Sequence, residues 1–402
     1  MREGWKQVWL RDLLSPLDER ADKRNDLMVL SVTEKRGIIP QSEVFNHRVA
    51  TSDVSKYKVL TPGDIAYNPY LLWCGAIGQW NGEIPGVVSP VYECFRALET
   101  EHPRFIGLLL ESGLLTPYFD STAIGSIERR RRTTQTVFLD APVARPPLEE
   151  QRRIVDLVSS VDTYIDALEH QADSARTVRN AVLDEQLQST TSSPTKLLKD
   201  LTTKIGSGAT PRGGEAVYQE TGVSLIRSQN VHNGQFIHEG LVAINDFAAT
   251  ALDGVTVAEN DVLINITGAS VARACIVDSS VLPARVNQHV AILRTDSNQL
   301  LPGFLLRVLL GKRINSFLLD ISGSGTTRQA ITKAQLESVE VFVPTLSEQR
   351  RIVDTVSSLD EMIQATDVAV AHAKALRSGL VSDLLSGDHE IPESYDRLLG
   401  AA

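Results

Sequence analysis

Residues 150–162 read EQRRIVDLVSSVD, and residues 348–360 read EQRRIVDTVSSLD, an offset of 198. Eleven of the thirteen positions are identical; only Leu157 against Thr355 and Val161 against Leu359 differ. A repeat of this length predicts a chain built twice on one plan. Each copy opens a segment of about forty residues with the apolar rhythm of a helix. In the first copy the seam runs Ile154, Val158, Val161, Ile165, Leu168, Ala172, Ala175 and Val182, with Arg179 in one slot. In the second it runs Ile352, Val356, Leu359, Ile363, Thr366, Val370, Ala373, Arg377 and Leu380. Steps alternating four and three are those of a coiled coil, and the arginine recurs in phase. Each helix would span on the order of 60 Å. The long connections favour an antiparallel pair. A register centred near Leu168 and Thr366 would set Arg179 near Asp354 and Arg377 near Asp156.

Working outward, the chain of 402 residues has room for two or three cores. Residues 1–147 form a first block, with β-rich runs at 27–32, 57–60 and 63–68 and turns at Pro62-Gly63 and Asn81-Gly82. Residues 148–188 form the first helix, 189–345 a second block that follows a polar linker, 346–387 the second helix, and 388–402 an acidic tail. The blocks echo each other: LRDL (10–13) against LKDL (198–201), Gly63-Asp64 against Asn260-Asp261, VVSPVYECFR (87–96) against RVNQHVAILR (285–294), and Gly125-Ser126 against Gly323-Ser324. The expected fold class is α+β: two similar mixed blocks separated by two long helices forming an antiparallel coiled coil.

The net charge of −10 is unevenly placed. It resides on residues 149–187 (−5), 347–385 (−2) and 386–402 (−3), leaving the blocks neutral. The acidity therefore says nothing against a polyanion as partner of the blocks. Three widely spaced cysteines, Cys74, Cys94 and Cys275, suit free thiols in a reducing cytoplasm. The chain has no signal-peptide core and no apolar run of membrane-spanning length.

Loops of the second block, GSGATPRGG (206–214), IRSQNV (226–231), ITGAS (266–270) and GSGTTRQAIT (323–332), are rich in small and polar residues. Such loops let a backbone approach phosphate and present donors, though each alone reads equally as a solvated turn. GSGATPRGG lacks the Gly-Lys-Ser/Thr of a nucleotide-binding loop. Tyr67-Asn68-Pro69-Tyr70 lacks one proline of the adenine-methyltransferase motif, and no glycine-rich cofactor loop accompanies it. The histidines offer no pair at metal-binding helical spacing. Catalysis within this chain is not expected. The alternatives kept open are a self-sufficient DNA methyltransferase or nuclease, and a coiled-coil interaction protein without nucleic acid.

With these motifs in hand, the sequence resembles the specificity (S) subunit of type I restriction-modification systems over essentially its whole length. PPLEEQRRIVDLVSSVD, PTLSEQRRIVDTVSSLD, GSGTTRQAITKAQLESVEVFVP and IRSQNV carry the match together. The resemblance implies two target recognition domains, each reading half of a split double-stranded DNA site. It also implies a helical spacer that docks two methyltransferase (M) subunits and restriction (R) subunits. S-adenosylmethionine, ATP and Mg²⁺ would belong to those partners, with no cofactor or metal on this chain. The DNA-contact candidates are Thr33, Lys35, Arg36, Asn68, Ser89, Arg130, Arg131 and Arg132 in the first block. In the second they are Arg227, Asn230, Asn287, Gln288, Thr327, Arg328 and Gln329.

Overall fold

The computed structural model describes residues 2, 4–22, 27–44, 50–51, 53–125, 131–323 and 330–396. The chain folds as two compact units, Met1–Glu169 with Val368–Ala402, and His170–Asp367. Its helices are α1 Pro103–Glu111, α2 Thr116–Thr122, α3 Gln135–Leu139, α4 Leu148–Gln188, α5 Asp246–Thr250, α6 Pro302–Leu310, α7 Lys312–Gly323, α8 Lys333–Glu337 and α9 Leu346–Ser386. The α+β class is as the sequence predicts.

In the first unit, Leu14–Leu17, Glu93–Ala97, Ile65–Tyr67 and Ile77–Gln79 form one antiparallel sheet in that order. A second sheet runs Gly37–Pro40, Met28–Thr33, Gly86–Val88, Lys58–Leu60, with its central pair parallel. The second unit repeats both. Thr202–Ser207, Val290–Thr295, Val262–Asn265 and Ala274–Ile276 form the antiparallel sheet; Val242–Ile244, Val223–Ile226, Ala284–Val286 and Thr256–Val257 form the other, again with a parallel centre. The hairpin Val231–His232 with Gln235–Phe236 has no counterpart among the described residues of the first unit. Short strands bounded by Gly and Asn turns, with buried Val, Ile and Leu, are what the β-rich runs dictate.

One ion pair marks the shared plan. Asp64 receives Arg96 Nε at 2.7 Å and Nη2 at 2.8 Å, and Asp261 receives Arg294 Nε at 2.7 Å and Nη2 at 2.8 Å. Each carboxylate also accepts a backbone N–H three residues earlier, from Thr61 and from Ala258, both at 2.7 Å. The echoed Gly-Asp and Asn-Asp turns are thus the anchors of bidentate Arg–Asp forks.

The opening repeat owes its glutamine to packing. Gln151 and Gln349 have no exposed surface. Gln349 Oε1 accepts the N–H of Leu301 at 2.8 Å, while Nε2 donates to the carbonyls of Gln299 (2.8 Å) and Pro344 (3.0 Å). Gln151 does the same with the N–H of His102 (2.9 Å), Glu101 Oε2 (2.9 Å) and the carbonyl of Pro146 (3.1 Å). His102 and Leu301 are the residues just before α1 and α6. One side chain therefore ties the start of each long helix to the start of the block helix beside it. Ile154, Val158 and Ile352 complete the join from within the main core of each unit.

The long helices pair in opposite directions, and the seam positions Ile154, Val158, Ile165, Ala172, Ile352, Val356, Ile363 and Ala373 are buried. In the first unit Arg377 forks onto Asp162 (Nη2–Oδ2 2.9 Å), and Lys374 meets Glu169 at 2.6 Å. In the second, Arg179 pairs with Asp360 at 3.1 Å and Arg176 with Asp367 at 2.5 Å. The register expected from the sequence is corrected by six residues: the partners are Asp360 and Asp162, not Asp354 and Asp156. The reason lies partly outside the helices. Arg307 of α6, itself buried, holds Asp360 Oδ2 at 2.6 Å and donates to Ser357 Oγ at 3.1 Å. Asp354 is exposed.

This register makes a direct prediction. Asp162→Arg and Arg377→Asp should each lower the stability of the first unit by about 1 kcal/mol, and the double swap should recover most of it. Urea denaturation of the four proteins measures the coupling. A swap at Asp156 that rescued Arg377→Asp better than the swap at Asp162 would overturn the register.

Candidate nucleic-acid interface

Three loops meet at one corner of the second block, and two at the matching corner of the first. In the second block, the turn after Val262–Asn265 is pinned by Asn265 N–H to the Arg273 carbonyl (2.8 Å), by Ile266 N–H to the His289 carbonyl (2.9 Å) and by Ile331 N–H to the Ile266 carbonyl (2.8 Å). In the first, Asn68 N–H donates to the Ala76 carbonyl (3.0 Å) and Thr133 N–H to the Pro69 carbonyl (2.9 Å). The same backbone frame thus joins the loops near 68–75 and 131–133 in one block, and those near 265–272, 287–289 and 330–331 in the other. Gly208 enters this corner in the second block: a Cβ there would lie 1.6 Å from the Val286 carbonyl oxygen, so only glycine fits.

The side chains on the two frames differ. In the first block Arg131 lies over Trp73, 4.6 Å from the ring centroid, and Arg132 over Tyr70 at 5.7 Å. Arg131 is anchored by Asp120 at 2.6 Å, whereas Arg132 is exposed. Burial and the neighbouring Glu34 push the Cys74 thiol in this loop up to about 11, so it stays a thiol at neutral pH. In the second block the corner is built from hydrogen-bonding groups. Thr267 Oγ1 and His289 Nδ1 are 2.5 Å apart, and Gln288 Nε2 lies 2.9 Å from His289 Nε2.

The candidate residues divide by what their polar atoms already hold. Asn230 is fully buried; its Oδ1 accepts Arg227 N–H (3.0 Å) and its Nδ2 donates to the Ile237 carbonyl (2.9 Å), so it shapes its loop from inside. Asn287 Oδ1 accepts His289 N–H (3.0 Å), Ser89 Oγ accepts Val91 N–H (3.4 Å) and Asn68 Oδ1 accepts Tyr70 N–H (3.1 Å). These three fold their own turns. Thr33 Oγ1 likewise closes its turn with Arg36 N–H and the Gly37 carbonyl. Arg36 pairs with Glu43 at 2.6 Å. Lys35 is exposed beside it on a polar cleft of about 290 Å³ that also takes in Glu34, Arg36 and Glu111. Arg227 stacks on Tyr218 (5.3 Å) and donates from Nη2 to the Gly240 carbonyl (2.6 Å). Gln288 and Arg132 are exposed. Arg130, Thr327, Arg328 and Gln329 lie outside the described residues. Tyr70, Trp73, Thr267 and His289 join the corner beyond the DNA-contact candidates; aromatic residues near a basic run are the sequence signal for the first two.

Residues 194–368 match the family described as Type I restriction modification DNA specificity domain. Over this segment the chain is similar to the type I restriction-modification specificity family. The resemblance seen in the repeated EQRRIVD segments is therefore borne out. Solved structures align with this chain across both blocks. One, described as the structural basis of complex assembly and conformational transition of the type I R-M system, aligns over 97% of this chain and 99% of its own, with a TM-score of 0.62 and 20% identity. The type I S subunit from M. genitalium aligns over 96% and 97%, with a TM-score of 0.54 and 12% identity. The HsdS subunit from Thermoanaerobacter tengcongensis aligns over 97% and 98%, with a TM-score of 0.49 and 20% identity. A search of curated proteins returned no match. Among the described residues no helix is long and apolar enough to cross a membrane.

Proposed function

We propose that this chain is the DNA-reading subunit of a type I restriction-modification complex, with each block addressing one half of a split double-stranded site. The observation that carries the reading is the duplicated corner: one backbone frame, two different sets of exposed polar and aromatic side chains. Duplicated scaffolds with unlike tips suit a bipartite target, since phosphate contacts position a reader and base-edge contacts specify. The long helices would fix the separation of the half-sites, and joining two weak readers makes the second contact intramolecular. Methyltransferase and restriction subunits would dock on this chain and bring S-adenosylmethionine, ATP and Mg²⁺. The chain itself would do no chemistry.

The contacts proposed for DNA are Lys35, Arg36, Arg131 and Arg132 in the first block and Arg227 and Gln288 in the second. Arg130, Thr327, Arg328 and Gln329, outside the described residues, are proposed with them. Asn68, Ser89, Thr33, Asn230 and Asn287 support by holding those loops in shape. Methylome sequencing of cells with and without the chain tests the reading. A split adenine-methylation motif should vanish on deletion, and replacing residues 1–147 by another block should change one half-site only. Persistence of every methylated motif after deletion would end the proposal. Methylation or cleavage of DNA by the purified chain alone would favour the enzyme reading instead.

A further inference from the structure

Resting on that reading, we infer that Gln288 is a base-specificity determinant of the second block that selects adenine, held for the task by His289 and Thr267. Gln288 is exposed at the corner where three loops meet. Its amide nitrogen donates to His289 Nε2 at 2.9 Å. His289 then carries its proton on Nδ1 and donates it to Thr267 Oγ1, 2.5 Å away. The His289 backbone is fixed on both sides, its N–H on Asn287 Oδ1 (3.0 Å) and its carbonyl on Ile266 N–H (2.9 Å). A flexible amide is thus braced by a relay that ends in a strand-end turn.

Bracing through one N–H leaves the exposed Gln288 with its Oε1 acceptor and its second N–H donor unbonded among the described residues. That pair complements the N6–H donor and N7 acceptor of adenine in the major groove, and no other base edge presents the two in that order. The braced amide also loses little rotamer freedom on binding, because His289 already holds it. His289 and Thr267 are positioning residues; they act through Gln288.

The first block does not carry this device. Its turn matching Asn287–His289 is Ser89–Val91, closed by the same side-chain-to-backbone bond, with Pro90 and Val91 in the places of Gln288 and His289. Tyr70 stands where the second block has Thr267, following Asn68 as Thr267 follows Asn265. Any effect of Gln288 is therefore confined to the half-site of the second block.

The test is methylome sequencing of cells that express the chain with its partner subunits. In the wild type, one position of the second half-site should be an A·T pair. Gln288→Ala should relax selection at that position by about tenfold and leave the first half-site unchanged. Gln288→Glu offers acceptors only, so its preference should move from adenine towards cytosine, whose N4 group donates. A merely structural glutamine would produce no such switch. His289→Phe should weaken selection at the same position without a new preference. If Gln288→Ala and Gln288→Glu both retain the wild-type motif, the inference falls while the split-site reading stands. If no split motif depends on the chain, both fall together.

Discussion

Gln349→Ala should lower the stability of the second unit by about 3 kcal/mol. The side chain is wholly enclosed and satisfies three backbone groups: the Leu301 N–H and the carbonyls of Gln299 and Pro344. Truncation leaves these groups buried without partners, each at a cost of about 1 kcal/mol or more, and opens a void. Gln349→Glu separates polarity from size. It keeps the volume and the acceptor for Leu301, but faces two carbonyl oxygens with a carboxylate. It should cost at least as much as alanine. Urea unfolding monitored on the second unit measures both. A loss below about 1 kcal/mol for both variants would mean that α6 and α9 do not depend on this join.

Arg294→Met should cost about 3 kcal/mol, because it leaves the Asp261 carboxylate enclosed without its counter-charge. Asp261 has no exposed surface, whereas Arg294 is about one-third exposed, so the penalty lies in the acid that stays behind. The double variant Arg294→Met, Asp261→Leu should be more stable than Arg294→Met alone, since a buried pair replaced by apolar groups of similar volume is often neutral. Denaturant midpoints of the two single variants and the double give the coupling. If the double variant were less stable than Arg294→Met, the fork would be holding the strands in some way other than by neutralising Asp261.

The plan of the fold was legible because it is written twice. The echoed Asp64 and Asp261 turns became the anchors of the same fork, and the EQRRIVD segments became two joins of the same kind. The coiled-coil seam was visible from its spacing, but its register was not. An apolar stripe slides with little change in pattern, and Arg307 of α6, outside both long helices, helps to fix Asp360. The corner was harder for another reason. Asn and Ser that shape a turn look the same in a sequence as those that address a base, so Asn230, Asn287, Asn68 and Ser89 could not be told from Gln288 until their partners were known.

The two units differ in how the chain is dealt between them. His170–Asp367 is continuous, so every residue of the second unit emerges in one uninterrupted run during synthesis. The first unit is split, and Val381, Leu384, Leu385 and Ile391 of its main core come from the far end of the chain. A block whose own strands are complete by residue 147 must therefore wait through the whole of the second unit for the helix that closes its core. Contacts of such long sequence separation form slowly, and apolar surface left open meanwhile invites aggregation. Synthesis order makes the second unit the early one to mature and the first the late one, although the two share a single architecture.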